Sequence, residues 1–471
     1  MVKKNSFNHQ RMGRSRETPA SVETGYRTPA PASSRRSFLK FASLGVGAAL
    51  LQACGTKYGD DGAKVSGKVQ LVYQDWRTDW FPEMAQKSLE KFHALNPDIQ
   101  VFYTPDPENV QEKMMSDFQA GTAPDVLAGC CDFFPVWAQS GYLLDLRPYV
   151  EAEIDRSTRF DWDPAQYKAL FTQDGLQYAL PKYHGALALF FNKDLFDEYG
   201  IDYPDGTWDH EDYFQAMKML THDRDGDGEI DLWGSMLDIS WERLQVHVNA
   251  WDGHFVDPEN SKRSWMARPE SLAALGWIRD RIWEDHVMAS KLDVQGLRTW
   301  DAFIDRRVAM VEEGSWALKE ILERADFRIG VAPLPRGPKR RVTLATTDGY
   351  GIFADTRYPE ASWELLKFLT GKEYGRALAQ AHFLQPARSS LLEDWAQAIR
   401  MQFPEETKGI DLEVFAGGHL GGYSVTAEIF WNMAEARQIA QRLWQRIFVL
   451  GQDPIERIVN ASAEIEVAQS S

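Results

Sequence analysis

The stretch VQLVYQDWRTDWFPEMAQKSLEKFHALNPDIQVFY, residues 69–103, carries the pattern that decides the fold. Val69 to Tyr73 is a run of β-favouring residues. Phe81 to Leu95 then places Phe81, Met84, Ala85, Leu89, Phe92 and Leu95 on one helical face, and Ile99 to Tyr103 is strand-like again. Asn96-Pro97 supplies the stop between them, because proline pushes the residue before it out of the α region. Together the three segments are a βαβ unit.

Outward from this unit the alternation continues. Short apolar runs recur at Val126–Ala128, Ala186–Phe191, Val308–Val311, Ile329–Ala332 and Tyr350–Phe353, most of them separated by helical patterns, which is the order of an α/β protein. Pro359 to Leu369 and Thr426 to Leu450 are predicted to be helical. With 471 residues, 44% hydrophobic and 26% charged, the composition is globular and the length suits roughly two to three domains. Acidic residues outnumber basic ones by 69 to 52, and since residues 1–53 are themselves basic, the body of the chain carries the negative surplus. A phosphate backbone calls for clustered Lys and Arg, so nucleic acid is excluded as a partner. Three cysteines build neither a disulfide framework nor a four-thiolate zinc site. The adjacent Cys130 and Cys131 read as packed thiols, since a bond between neighbours is strained.

The N-terminus reads as an address. Its first 33 residues are polar, without apolar period. Ser34-Arg35-Arg36-Ser37-Phe38-Leu39-Lys40 follows, then a small and apolar run to Leu51, shorter than the roughly 20 residues of a membrane-spanning helix, then Gln52-Ala53-Cys54. The arginine pair with Phe-Leu-Lys resembles the bacterial twin-arginine export signal, and the block ending at Cys54 resembles a lipoprotein lipobox. The expectation is a signal peptide over 1–53, lipidation of Cys54, a flexible tether over 54–67, and a mature chain held at the outer face of the cytoplasmic membrane or in the periplasm.

Later blocks resemble, in order and spacing, the extracellular solute-binding proteins of bacterial ABC importers, in the sugar-binding branch that includes maltose-binding protein. They are Gly121, Pro124 and Asp125; Tyr178-Ala179-Leu180-Pro181; Asn192 to Phe196; Pro204, Thr207 and Trp208; Gly314-Ser315-Trp316; Gly330-Val331 with Pro333-Leu334-Pro335; Asp348-Gly349-Tyr350; and Trp363 to Leu369. The resemblance implies a type II periplasmic binding protein fold: two α/β lobes, three crossover segments and a ligand cleft that closes by a hinge. It places crossovers near Pro181, Thr347 to Gly351, and Pro386 to Ser389. The N-terminal lobe is then 68–181 plus 352–386, and the C-terminal lobe 182–347 plus 390–460.

Candidate ligand residues follow from position. Of 17 Trp, Trp76 and Trp80 come just after the first strand, where an α/β sheet presents its ligand-facing loops; flat rings suit the C–H faces of a sugar. By resemblance Trp316 faces the cleft from the second lobe, and Trp241, Tyr350 and Trp431 stand in comparable blocks. Asp132 stands where relatives place a sugar-contacting polar residue. The aromatic that relatives often carry near Gly129 is absent here: either Phe133 or Phe134 substitutes for it, or the subsite is lost. His184 and Arg388 stand in the first and third crossovers, bonding a hydroxyl or bracing the hinge; relatives carry a carboxylate where this chain has Gly185.

Asp223, Asp225, Asp227, Gly228 and Asp231 match five positions of a calcium loop, but position twelve is Gly234 rather than a bidentate Glu. A calcium ion here needs a donor from elsewhere and is structural; otherwise the segment is an acidic turn, and no other cofactor is expected. No catalytic signature of hydrolases, metalloproteases or nucleotide-binding enzymes is present. The expected function is a monomeric, non-enzymatic receptor that captures a di- or oligosaccharide and delivers it to an ABC permease. The rival is a secreted lipoprotein glycoside hydrolase, which needs only two suitably spaced carboxylates. A lipid-anchored scaffold without solute is the third reading.

Overall fold

A computed structural model describes residues 67–470 except Asp79 and Asp132. The signal segment, Cys54 and Asp132 lie outside the described residues. The opening βαβ unit forms as expected: strand Val69–Asp75, helix Phe81–Leu95, strand Ile99–Pro105. The helix buries Phe81, Ala85, Ser88, Leu89 and Phe92, begins with proline in its first turn, and ends where Asn96 N donates to Phe92 O at 2.9 Å.

Two five-stranded sheets organise the rest. The first runs in the order Ile99–Pro105, Val69–Asp75, Val126–Gly129, Gly349–Ile352, Leu180–Pro181. The first three strands are parallel, and Gly349–Ile352 is antiparallel to both neighbours. The second runs Ile329–Ala332, Leu187–Asn192, Val308–Gly314, Trp233–Met236, Met288–Ala289. Here Leu187–Asn192 is antiparallel to both neighbours, and its six residues are all buried, as expected of a strand covered on both faces. Each sheet has its own core: Leu71, Tyr73, Phe92, Val126 and Trp363 mark one, and Leu189, Met217, Leu244, Met310 and Phe448 the other.

The chain passes between the sheets at residues 182–186, at 345–348 and again near 383–391. These segments are bonded to one another. Lys182 N donates to Asp348 O at 3.0 Å, Thr346 N to Gly185 O at 3.0 Å, and His184 N to Gln385 O at 2.9 Å. The buried amide of Gln166 donates to Tyr183 O at 2.8 Å and to Thr346 O at 2.6 Å, so one side chain clamps two crossovers.

One predicted element is shorter than expected. The helix of the final third spans Met433–Trp444 and continues as a π-helical turn, Gln445–Val449, while Thr426 to Trp431 is non-helical. Glu428 explains this. Its carboxylate accepts from Phe255 N at 2.6 Å, Val256 N at 2.9 Å and Asn249 Nδ2 at 2.8 Å, which pins the segment to a loop of the same lobe. Asn432 then caps the helix by accepting from Glu435 N.

Candidate functional site

A cleft of about 690 Å³ opens between the sheets, within the range of about 300–1,000 Å³ of small-molecule sites. The first lobe contributes Trp76, Gln111 and Phe133, the second contributes Asp238, Trp241 to Arg243 and Trp316, and the crossovers contribute Tyr183 and Thr346 to Asp348. Beyond the crossovers, the lobes also touch at the rim. Arg437 Nη1 donates to Gln111 Oε1 at 2.7 Å, and Gln139 Nε2 to Phe430 O at 3.0 Å.

Trp76 follows the strand Val69–Asp75, and its ring lies over a buried cation: Lys182 Nζ stands 3.1 Å from the ring centroid. Lys182 also pairs with Asp75, a carboxylate that accepts from Tyr73 OH and from Trp76 N, the latter at 2.8 Å. Both members of the pair are buried, and burial pulls Lys182 below its ordinary value. Burial pushes the neighbouring Asp348 carboxyl up to about 6, with Lys182 opposing the shift.

Trp316 sits in a 3-10 turn after the strand Val308–Gly314 and packs against the cores of both lobes. Glycine makes room for its indole. A Cβ on Gly314 would meet the ring at 2.2 Å, and one on Gly185 would meet it at 2.7 Å and the Thr346 methyl at 2.6 Å. A side chain at position 185 therefore has no room here. Arg243 lies 5.2 Å from the Trp316 ring centroid. It donates to Glu312 O at 2.7 Å and Glu313 Oε2 at 3.0 Å. Behind it runs a buried chain: Glu312 Oε2 to His247 Nε2 at 3.0 Å, His247 Nδ1 to His210 Nε2 at 3.2 Å, and His210 Nδ1 to Arg336 O at 3.0 Å. Burial holds His210 down at about 4, helped by His247.

The structure thus brings Trp76, Trp241 and Trp316 together at the cleft and sends five other candidates elsewhere. Tyr350 is fully buried among Tyr73 and Tyr374 in the first lobe, because its strand is internal to the sheet. Trp80 stacks on His382 at 4.6 Å between centroids, as the residue before the first helix rather than as a cleft wall. Trp431 is 50% exposed beneath Lys262, on the segment that Glu428 pins.

His184 and Arg388 are both buried, away from the cleft wall. His184 is buried 3.7 Å from Asp163, whose carboxylate also takes the Nδ1 hydrogen bond of His419 at 2.5 Å. Burial holds His184 down at about 4. Arg388 donates to Thr370 O at 3.0 Å and lies over Trp162. Of the two Phe candidates, Phe133 lines the cleft, while Phe134 is buried against Gly129, where a Cβ would meet its ring at 2.3 Å.

Sequence reasoning missed Gln111, Asp238, Arg243, Arg437, Gln441 and Trp444, all of which line the cleft. One signal was available for part of this set: Arg437, Gln441 and Trp444 lie four and three residues apart on one helix, a polar stripe on an otherwise core-packed element. In the acidic loop, the carboxylates of Asp223, Asp225 and Asp227 converge within 4.8 Å. Asp231 is not among them; its carboxylate accepts from Arg224 N at 2.8 Å and Asp225 N at 3.3 Å.

A mixed α/β chain with two lobes, clustered crossovers and a ligand-sized cleft between them defines a hinged solute-binding protein. Residues 74–376 match the bacterial extracellular solute-binding protein family, and the chain belongs to that family. A putative binding protein of Brucella abortus is 26% identical over 324 residues, 67% of this chain and 75% of its own. An ABC substrate-binding protein of Listeria monocytogenes, solved in complex with cycloalternan, superposes with a TM-score of 0.74 at 20% identity, over 86% of this chain and 99% of that one. UgpB of Mycobacterium tuberculosis, solved in complex with glycerophosphocholine, does so with a TM-score of 0.70 at 17% identity, over 85% and 98%. The fold is that of type II periplasmic binding proteins. No helix among the described residues is long and apolar enough to cross a membrane.

Proposed function

We propose that the protein is an exported receptor, lipid-anchored through Cys54, that captures a di- or oligosaccharide as a monomer and delivers it to an ABC permease without altering it. The observation that carries this reading is the cleft wall: indoles of Trp76 and Trp316, from opposite lobes, share one cavity with the carboxylates of Asp238 and Asp348 and the guanidinium of Arg243. Ring faces cover the C–H surfaces of a pyranose, and the charged groups bond its hydroxyls. The cycloalternan complex of the Listeria relative supports a sugar ligand. Ligand drives closure through tighter binding to the closed state.

The test is a melting scan of the purified chain against maltodextrins, cyclic oligosaccharides, mannotriose, arabino-oligosaccharides and glycerophosphocholine, with chromatography of each mixture afterwards. A ligand at 100 times its dissociation constant adds about 2.7 kcal/mol of stability. A shift with an intact oligosaccharide supports the reading. A shift with glycerophosphocholine alone replaces the substrate class, and a cleaved sugar replaces the receptor by a glycoside hydrolase.

Asp223, Asp225 and Asp227 are proposed to hold a structural calcium ion. Added calcium then raises the melting temperature and chelator reverses it; an unchanged melting curve removes the ion from the reading.

A further inference from the structure

The strand Val126–Gly129 ends at the cleft, and the residues that follow are Cys130 and Cys131, both in the cleft wall. Cys131 has a φ of +56°, in the left-handed region that residues with side chains seldom occupy. The turn brings the two sulfurs to 2.8 Å. Packed carbon atoms stand about 3.5–4.0 Å apart, and sulfur is larger, so these two sulfurs are closer than packing alone places them. The backbone around them is held: Phe134 N donates to Cys130 O at 3.2 Å and Thr347 Oγ1 to Cys131 O at 3.3 Å.

The surroundings narrow what such a pair does. The hydrogen bond to Cys130, burial, and the Glu242 and Asp348 carboxylates all push the Cys131 thiol up, whereas the same hydrogen bond works to lower the Cys130 thiol against its burial, so Cys130 is the member of the pair that attacks an external disulfide. Among the described residues, no third His, Cys or carboxylate joins the two sulfurs in a metal-ligating cluster. The remaining cysteine of the chain, Cys54, carries the lipid in the reading above. An extracellular family works where thiols are oxidised.

We propose that Cys130 and Cys131 close into a disulfide between neighbouring residues, making the wall of the ligand cleft sensitive to redox state. Two S–H bonds break and one S–S bond forms. The two electrons and two protons pass to a low-molecular-weight disulfide such as oxidised glutathione, which leaves as two thiols. A ring closed over a single peptide unit is tight, so added reductant opens it readily. The family's extracellular location and the lipidation of Cys54 in the reading above enter here; the identity of the solute does not, so failure below leaves the sugar reading standing.

The test uses the full chain, exported and purified without reductant, then incubated with oxidised glutathione. It is denatured, alkylated with iodoacetamide before or after reduction, and its tryptic peptides are weighed. The expected result is one peptide in which Cys130 and Cys131 are unlabelled before reduction and both labelled after it. Labelling of both without reduction, or a bond from either to Cys54 or to a second chain, overturns the proposal. A second measurement reads the folded protein: reductant shifts the melting temperature of the native chain and not that of a C130S/C131S variant. An equal shift in both also overturns it.

Discussion

The two lobes each present a tryptophan to the cleft and back it with a buried cation, but they anchor that cation differently. Beneath Trp76 the cation is Lys182, a residue of the first crossover, paired with Asp75 at the end of a strand of the first lobe. Beside Trp316 it is Arg243, which reaches Glu313 and the Glu312 carbonyl within its own lobe. Lysine is a point charge that accommodates a shift of angle; the arginine fork fixes one geometry. The first arrangement therefore ties a cleft-lining indole to a crossover, and the second braces one inside its own lobe.

The largest expected effect comes from the hinge-tied pair. Lys182→Met leaves Asp75 buried without its cation and is expected to cost about 3–5 kcal/mol in urea denaturation. Adding Asp75→Asn recovers part of that loss; a double variant no better than the single one would show that Lys182 acts through packing on Trp76 instead.

Titration separates the second lobe from the crossovers next. His210, held at about 4 by burial, keeps its full contribution above about pH 6.5 and loses it as pH falls toward 4, on the order of 3 kcal/mol. Asp348, raised to about 6 by burial, has the opposite sign: its contribution is complete below about pH 3.9 and is lost as pH rises through 6. Melting curves between pH 6.5 and 4 are expected to fall more steeply for Asp348→Asn and less steeply for His210→Gln. Parallel curves for both variants would erase this contrast.

Arg243→Lys keeps the charge and loses the fork, an expected cost of about 1.5–3 kcal/mol, with weaker binding of whichever solute the melting scan identifies. Smallest is Gln111→Ala, which removes the rim contact with Arg437 for about 0.5–1.5 kcal/mol. It should enlarge the ligand-free particle in small-angle scattering while leaving the melting temperature nearly in place. An unchanged particle would mean that the crossovers alone set the angle between the lobes.

Much of this architecture was legible in the chain. The βαβ opening is local, and its period and proline stop survive intact in the helix Phe81–Leu95. Trp76 was readable because it directly follows a strand end, and Trp316 through the resemblance of the Gly314-Ser315-Trp316 block. Tyr350 shows the limit: a strand end also carries residues that point into the core, and strand periodicity does not say which face is wet. Trp431 fails for another reason, since the carboxylate of Glu428 reaches back to Phe255 and Val256, more than 170 positions away in sequence. Arg243 and Asp238 likewise reach the cleft through tertiary packing that no local pattern encodes.

The indole of Trp316 rests on the bare backbone of Gly185, and that residue belongs to a segment on which the lobes turn. The indole thus touches a crossover while its residue lines the cleft. Its fluorescence is therefore expected to report both occupancy and rotation, an optical goniometer built into the fold.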